Sequence, residues 1–212
     1  GVLVNYFSAA KGDPRFIFLG VALIAAAIVM NGIAYKKAQT GQRKTPTKGI
    51  LIAVAAGVIM AFFYRFVAAS MDLDDFVSPA PGKLTPYTAV FIFATGVFAS
   101  NFLFNTVAMK RPVEGPPVRI ADYFRGGVRT HLVGILGGTI WCIGTSLSMI
   151  ASGKAGAAIS YGLGQGATLV SALWGIVIWK EFRGAPRVSA RLNAGMFVLF
   201  LVGLGLLIYA GA

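Results

Sequence analysis

Gln165 and Tyr161 stand four residues apart in a stretch where no residue from Ala155 to Trp179 is charged. At about 100° per residue, Tyr161, Gln165, Thr168 and Ala172 share one helix face, flanked by Gly164, Ser171 and Gly175. A buried Gln offers both a donor and an acceptor, which suits solute hydroxyls or ureide amides. The alternative is a Gln satisfied by a neighbouring helix. A helix packed among others and lining a cavity uses such small and polar residues, and a lone lipid anchor needs neither.

Four further groups invite the same question. Trp141, Thr145, Ser148 and Ser152 share a face of the preceding apolar run. There an indole would stack on a ring-shaped solute while hydroxyls bind it, or the same face packs against another helix. Asn101 and Asn105 sit at i,i+4 beside Phe98 and Phe102, and two amides on a membrane helix need partners or water. They line a cavity or bond between helices. Arg65 is the one charge well inside an apolar run. It snorkels outward, pairs with Asp72, Asp74 or Asp75, or touches an anionic solute. Lys154, in a short turn, is a candidate gate residue or a solvated one.

Enzyme chemistry finds little support. Met71-Asp-Leu-Asp-Asp-Phe76 resembles a Mg²⁺-holding cluster, but such a site needs a second acidic group. Asp13, Glu114, Asp122 and Glu181 stand isolated, and Glu181 is expected to cap a helix or pair with Lys180 or Arg183. Gly162–Gly166 is glycine-rich but lacks the Lys-Ser/Thr of a phosphate loop. His131 has no metal ligand at useful spacing, and the single Cys142 excludes an intramolecular disulfide. The expectation is no catalysis, no cofactor and no metal.

The elements that must carry these side chains are membrane helices. The chain is 57% hydrophobic and 12% charged, about half the charge of a soluble domain at ~25%. Six spans are predicted: Phe16–Tyr35, Gly49–Ser70, Tyr87–Met109, His131–Ala151, Ala155–Trp179 and Leu192–Ala210. Each suits a hydrocarbon core that takes about 20 residues. Between Lys110 and Thr130, Gly115-Pro116-Pro117 breaks helix, and Arg119–Phe124 is read as a short surface helix. The net charge of +12 would point to nucleic acid in a soluble protein. Here the cations lie in loops, so membrane lipid is the expected partner and nucleic acid is not.

Loops 36–48, 110–130 and 180–191 hold five, five and four Lys/Arg, against one each in the 71–86 and 152–154 connections. The positive-inside rule makes the three basic loops cytoplasmic in an inner or plasma membrane. The 71–86 loop and the carboxyl terminus then face outward.

The sequence also echoes itself. Gly1-Val-Leu-Val leads to Lys11-Gly-Asp-Pro14 and an apolar run ending in Tyr35; Gly175-Ile-Val-Ile leads to Arg183-Gly-Ala-Pro186 and a run carrying Tyr209. Read as an inverted repeat, residues 1–35 end a first repeat, 36–48 form a cytoplasmic basic linker, and 49–212 are the second repeat. Such repeats place a solute site between them near mid-membrane. The apolar start at Gly1 reads as entry within a helix, the chain then being a carboxyl-terminal fragment.

Gly138-Thr-Ile-Trp141-Cys-Ile-Gly144 and Ser152-Gly-Lys154-Ala-Gly156-Ala-Ala158-Ile-Ser160-Tyr161-Gly-Leu-Gly-Gln165 carry a family resemblance. It continues through Trp174-Gly175, Glu181, Gly195, Gly203 and Gly205. These residues resemble the drug/metabolite transporter superfamily, nearest its glucose/ribose porter and ureide-permease-like branch. The long 110–130 loop resembles the ureide-permease side. The resemblance implies an all-α polytopic bundle of ten helices, built as two five-helix inverted repeats. It implies alternating-access transport of a small polar solute, most simply a sugar, coupled to a proton or sodium gradient. A ureide, nucleobase or drug-like cargo is the second reading, and a non-transporting scaffold subunit the third.

Overall fold

The computed structural model describes residues 1–38, 47–113 and 115–211. Arg43 and Lys44 of the expected basic linker, and Glu114, lie outside the described residues. The described chain is helical, with two strand-like residues, Met71 and Leu84, meeting in an isolated bridge. Its helices are α1 (Val2–Ser8), α2 (Pro14–Ala38), α3 (Thr47–Ser70), α4 (Pro86–Lys110), α5 (Ile120–Phe124), α6 (Val128–Ala155), α7 (Ala157–Gly164), α8 (Gly166–Val177) and α9 (Arg187–Ala210). Five of them, α2, α3, α4, α6 and α9, are long and apolar enough to cross a membrane. At 1.5 Å per residue, each exceeds the ~30 Å core.

The fifth expected span is not one helix. α7 stops at Gly164 and α8 starts at Gly166, with a turn at Gln165. There the Gln165 N–H bonds the Gly162 carbonyl at 3.1 Å and the Thr168 N–H bonds the Gln165 carbonyl at 2.9 Å, both three residues back. Glycines at 162, 164 and 166 weaken helix continuity, each by about 1 kcal/mol relative to Ala. The break has a local cause that the apolar run alone conceals.

The contacts divide the chain into two compact units, Gly1–Lys44 with Ala151–Ala212, and Thr45–Ile150. The first is built on α2 and α9, which run antiparallel: Gly20 meets Gly203, Met30 meets Gly195, and Gly12 meets Ala210. Ile17, Ile24, Ala27, Met196, Phe200 and Leu207 fill the seam and are buried. Between helices in lipid the gain comes from close packing, and small residues permit it. α1 lies against α7, where Gly162 leaves room for Val2 and Leu207. Lys11 reaches the end of α6, donating from Nζ to the Gly153 carbonyl at 3.1 Å. Gly156 (φ +81°) then turns the chain beneath the Lys11 stem.

Glu181 does not pair with Lys180 or Arg183. Its carboxylate accepts the Tyr35 hydroxyl at 2.5 Å. The Tyr35 ring meets Phe182 edge-on at 4.8 Å. Gly175 gives them room, since a Cβ there would stand 2.6 Å from Glu181 Oε2 and the carboxylate would have to shift.

In the second unit the 71–85 loop is tied by carboxylates. Asp72 accepts from the N–H groups of Asp74, Asp75 and Ala80, and Asp75 from those of Val77 and Ser78. Those bonds hold the Asp72 carboxyl below its ordinary pKa, the Ala80 N–H contributing most, with Lys83 adding to the effect. Among the described residues no ion pair joins Arg65 to Asp72, Asp74 or Asp75; Arg65 is exposed. Thr85 caps α4, accepting from the Thr88 N–H at 3.2 Å, with Pro86 in its first turn.

Candidate functional site

The second unit brings one expected pair into a concave setting. Asn105 Nδ2 donates to Asn101 Oδ1 across one turn of α4. That bond leaves the Asn101 amide N–H and the Asn105 carbonyl oxygen for another molecule, a donor and an acceptor presented side by side. Both amides line a groove of about 370 Å³, within the usual range for a small-molecule site. Phe98 and Phe102, edge-to-face at 5.2 Å, wall it on α4. Tyr123 and Phe124 wall it from α5, also edge-to-face, at 5.3 Å.

The connection between α4 and α6 places those last two rings. Gly115 (φ +82°) turns the chain, and the Val118 N–H bonds the Met109 carbonyl at 2.9 Å, folding the segment back on the end of α4. Asp122 Oδ2 accepts the Arg119 N–H at 3.0 Å and starts α5. Its other oxygen lies 3.6 Å from Arg119 and 3.8 Å from Arg125. Tyr123 is braced by His131, ring centroids 4.9 Å apart, so the one histidine backs a wall residue. Among the described residues no cluster suits a metal ion.

Sequence reasoning found Asn101, Asn105, Phe98 and Phe102 but not Tyr123, Phe124 or Ile120. The signal was available: apolar residues at i, i+3 and i+4 within the expected surface helix.

The other expected residues are not part of this groove's lining. Trp141, half exposed, ends an aromatic run in the same unit. It lies 6.1 Å from Phe93, which stacks on Phe63 at 5.5 Å. Ser148 faces α3, its carbonyl accepting the Tyr64 hydroxyl at 3.0 Å and its Oγ 3.5 Å away. Thr145 is half-buried one turn earlier. In the first unit Gln165 is half-buried at the helix break, Tyr161 is half-buried with its ring against Gly1, and Thr168 is exposed. Lys154 is exposed in the last turn of α6. A polar locus that sequence reasoning missed lies on α2 and α9. The Asn31 and Asn193 carbonyl oxygens and the Ser189 hydroxyl are buried there without a hydrogen-bond partner.

An amide pair thus stands between aromatic walls in a chain whose described residues hold five membrane-length helices. Residues 24–210 match the family model for ureide permeases. The chain belongs to the ureide permease family. It is 26% identical to Ureide permease 1 of Arabidopsis thaliana over 165 residues, 77% of this chain and 42% of that protein. It is 30% identical to Ureide permease 5 of the same plant over 169 residues, 77% of this chain and 40% of that one. Ureide permease 2 matches at 27% over 160 residues. The chain thus spans about two-fifths of the length of the curated relatives it matches. No solved structure matches it. This ureide permease family member is a multi-pass membrane protein.

Proposed function

We propose that this chain serves in the transport of a small planar solute carrying adjacent N–H and C=O groups, a ureide or nucleobase, across a membrane. The observation that carries the reading is the Asn101–Asn105 pair, open as one donor and one acceptor between Phe98, Phe102, Tyr123 and Phe124. A ureide matches that edge with its own N–H and C=O, and aromatic rings cover its flat faces. Both the relatives' names and this chemistry favour the ureide cargo over the sugar. Gln165, Tyr161, Thr168, Trp141, Thr145 and Ser148 are proposed as further solute contacts, and Arg65 and Lys154 as charge or gate contacts.

The mechanism proposed is alternating access between two inverted repeats, residues 1–35 and 49–212, of a ten-helix carrier of the drug/metabolite type. The antiparallel α2–α9 pair supports it, since each helix closes one repeat in that scheme. By the charge rule the α4–α5 connection lies on the cytoplasmic side and the carboxyl terminus outside. A proton or sodium gradient is the proposed drive. A scaffold role requires Trp141, Asn101 and Gln165 all to pack in dry helix contacts; Asn101 lining a groove favours the transport reading.

The test is uptake into vesicles of labelled sugars, nucleobases and allantoin-like ureides. Saturable ureide uptake supports the reading. Uptake of sugars alone, or of nothing by folded protein, removes it.

A further inference from the structure

The groove continues past its aromatic rings. At the end of α4 a second hollow of about 310 Å³ is lined by Lys110 and Arg119, with Pro117 and Val118 beside them. The two hollows share Thr106, Met109 and Ile120, so they adjoin along one face. Their chemistry differs. The first offers a neutral donor and acceptor between rings, and the second offers two cations. The Val118–Met109 backbone bond brings Arg119 and Lys110 to the same hollow although they are nine positions apart in sequence.

The described acid near these cations is Asp122, and it is already engaged. It holds the Arg119 N–H and stands at ion-pair distance from both Arg119 and Arg125. The Arg119–Asp122 pair is solvent-exposed, with a side-chain exposure of 77% at Arg119. Exposed pairs of this kind are worth about 0–1 kcal/mol, so a better-placed carboxylate displaces it readily. Lys110 has no ion pair among the described residues. Five helical positions, about 7.5 Å, separate Asn105 from Lys110. A solute with a ureide at one end and an acid group at the other has the polarity of the two adjoining hollows.

We infer that Lys110 and Arg119 form an anion subsite, and that the preferred solute is a ureide bearing a carboxylate. This rests on the proposed groove being the solute site. The ureide N–H and C=O meet Asn105 and Asn101, and the carboxylate meets the two cations through charge-assisted hydrogen bonds, for which the planar guanidinium is well shaped. A neutral ureide gains nothing from that end.

The test compares two labelled probes of one skeleton, hydantoin, which is neutral, and N-carbamoylglycine, its ring-opened carboxylate. The protein is placed in phosphatidylcholine vesicles at pH 7 and zero membrane potential. The expected result is uptake of N-carbamoylglycine above hydantoin by about threefold to tenfold, the scale of one or two exposed charge contacts. The ratio falls toward one in the Lys110→Gln/Arg119→Gln double variant. It is kept in Lys110→Arg/Arg119→Lys. In the unaltered protein the ratio also falls as salt rises, because exposed charges are screened. A ratio equal in the unaltered protein and the Gln variant overturns the subsite while leaving ureide transport standing. A ratio indifferent to the variant, with activity that instead requires phosphatidylglycerol and loses that requirement on substitution, assigns the cations to a lipid headgroup and also overturns it. Uptake of neither probe by folded protein removes the proposed function and the inference together.

Discussion

Gly20 and Gly203 meet reciprocally: a Cβ on Gly20 would stand 2.8 Å from the Gly203 carbonyl oxygen, and a Cβ on Gly203 would stand 2.9 Å from the Gly20 carbonyl oxygen. Each glycine therefore exists to admit the other's backbone. The crossing sets the spacing of α2 and α9, and Ile24 and Leu207 pack beside it.

Gly20→Ala or Gly203→Ala is expected to destabilise the protein by about 1–3 kcal/mol, the usual scale of overpacking against a backbone that cannot move aside. Gly205→Ala, two residues on, meets nothing within 4 Å and is expected to be near neutral. Thermal unfolding in detergent reads both. Equal midpoints for the three variants would sink the close-crossing account.

Tyr35→Phe removes the hydroxyl that Glu181 accepts. The expected loss is about 0.5–1.5 kcal/mol, with Glu181→Ala adding little once Tyr35→Phe is present. A double-mutant cycle measures that coupling. Strictly additive effects would mean that the Tyr35–Glu181 contact contributes nothing.

Asn193 carries a buried carbonyl oxygen without a partner in the α2–α9 seam. Replacing an unsatisfied buried polar group with an apolar one of similar size is close to neutral or stabilising. Asn193→Leu should therefore unfold no earlier than the unaltered protein. A fall in stability above about 1 kcal/mol would show that the amide is satisfied in the membrane, by water or by another chain.

The Asp72 carboxyl titrates below its ordinary value of 3.8 because backbone N–H groups of Ala80, Asp75 and Asp74 bond its ionised form. A lowered folded-state pKa means that the support is present above the unfolded value and lost as pH falls through the folded one. The 71–85 loop is thus expected to keep its amide protection at Ala80 through pH 5 to 7 and to lose it only below the ordinary carboxylate range. Asp72→Asn removes that dependence. Hydrogen exchange against pH checks it, and loss of protection near pH 6 would contradict it.

Much of this was legible from hydropathy and charge, because a membrane helix is announced by length and apolarity alone. Five spans appeared where the apolar runs placed them. The fifth expected span is instead two helices meeting at Gln165, since hydropathy cannot see that three glycines interrupt a ladder of backbone hydrogen bonds. The groove was half legible. Asn101 and Asn105 advertise themselves as amides at helical spacing in an apolar run. Tyr123 and Phe124 belong to a connection whose path depends on Gly115 and on one backbone bond between Val118 and Met109. Glu181 reads in sequence as a helix cap or as a partner of the adjacent Lys180 or Arg183. Its partner instead comes from α2, 146 positions away, a contact that local spacing does not encode.

The measurement that tests the central claim most directly is equilibrium binding of a labelled ureide to the protein in vesicles, with and without Asn101→Leu and Asn105→Leu. The groove account expects saturable binding, weakened about tenfold by either change while insertion and unfolding temperature hold, because each variant removes one hydrogen bond and breaks the pair. Binding that is unaffected by both changes would place the solute elsewhere and contradict the account.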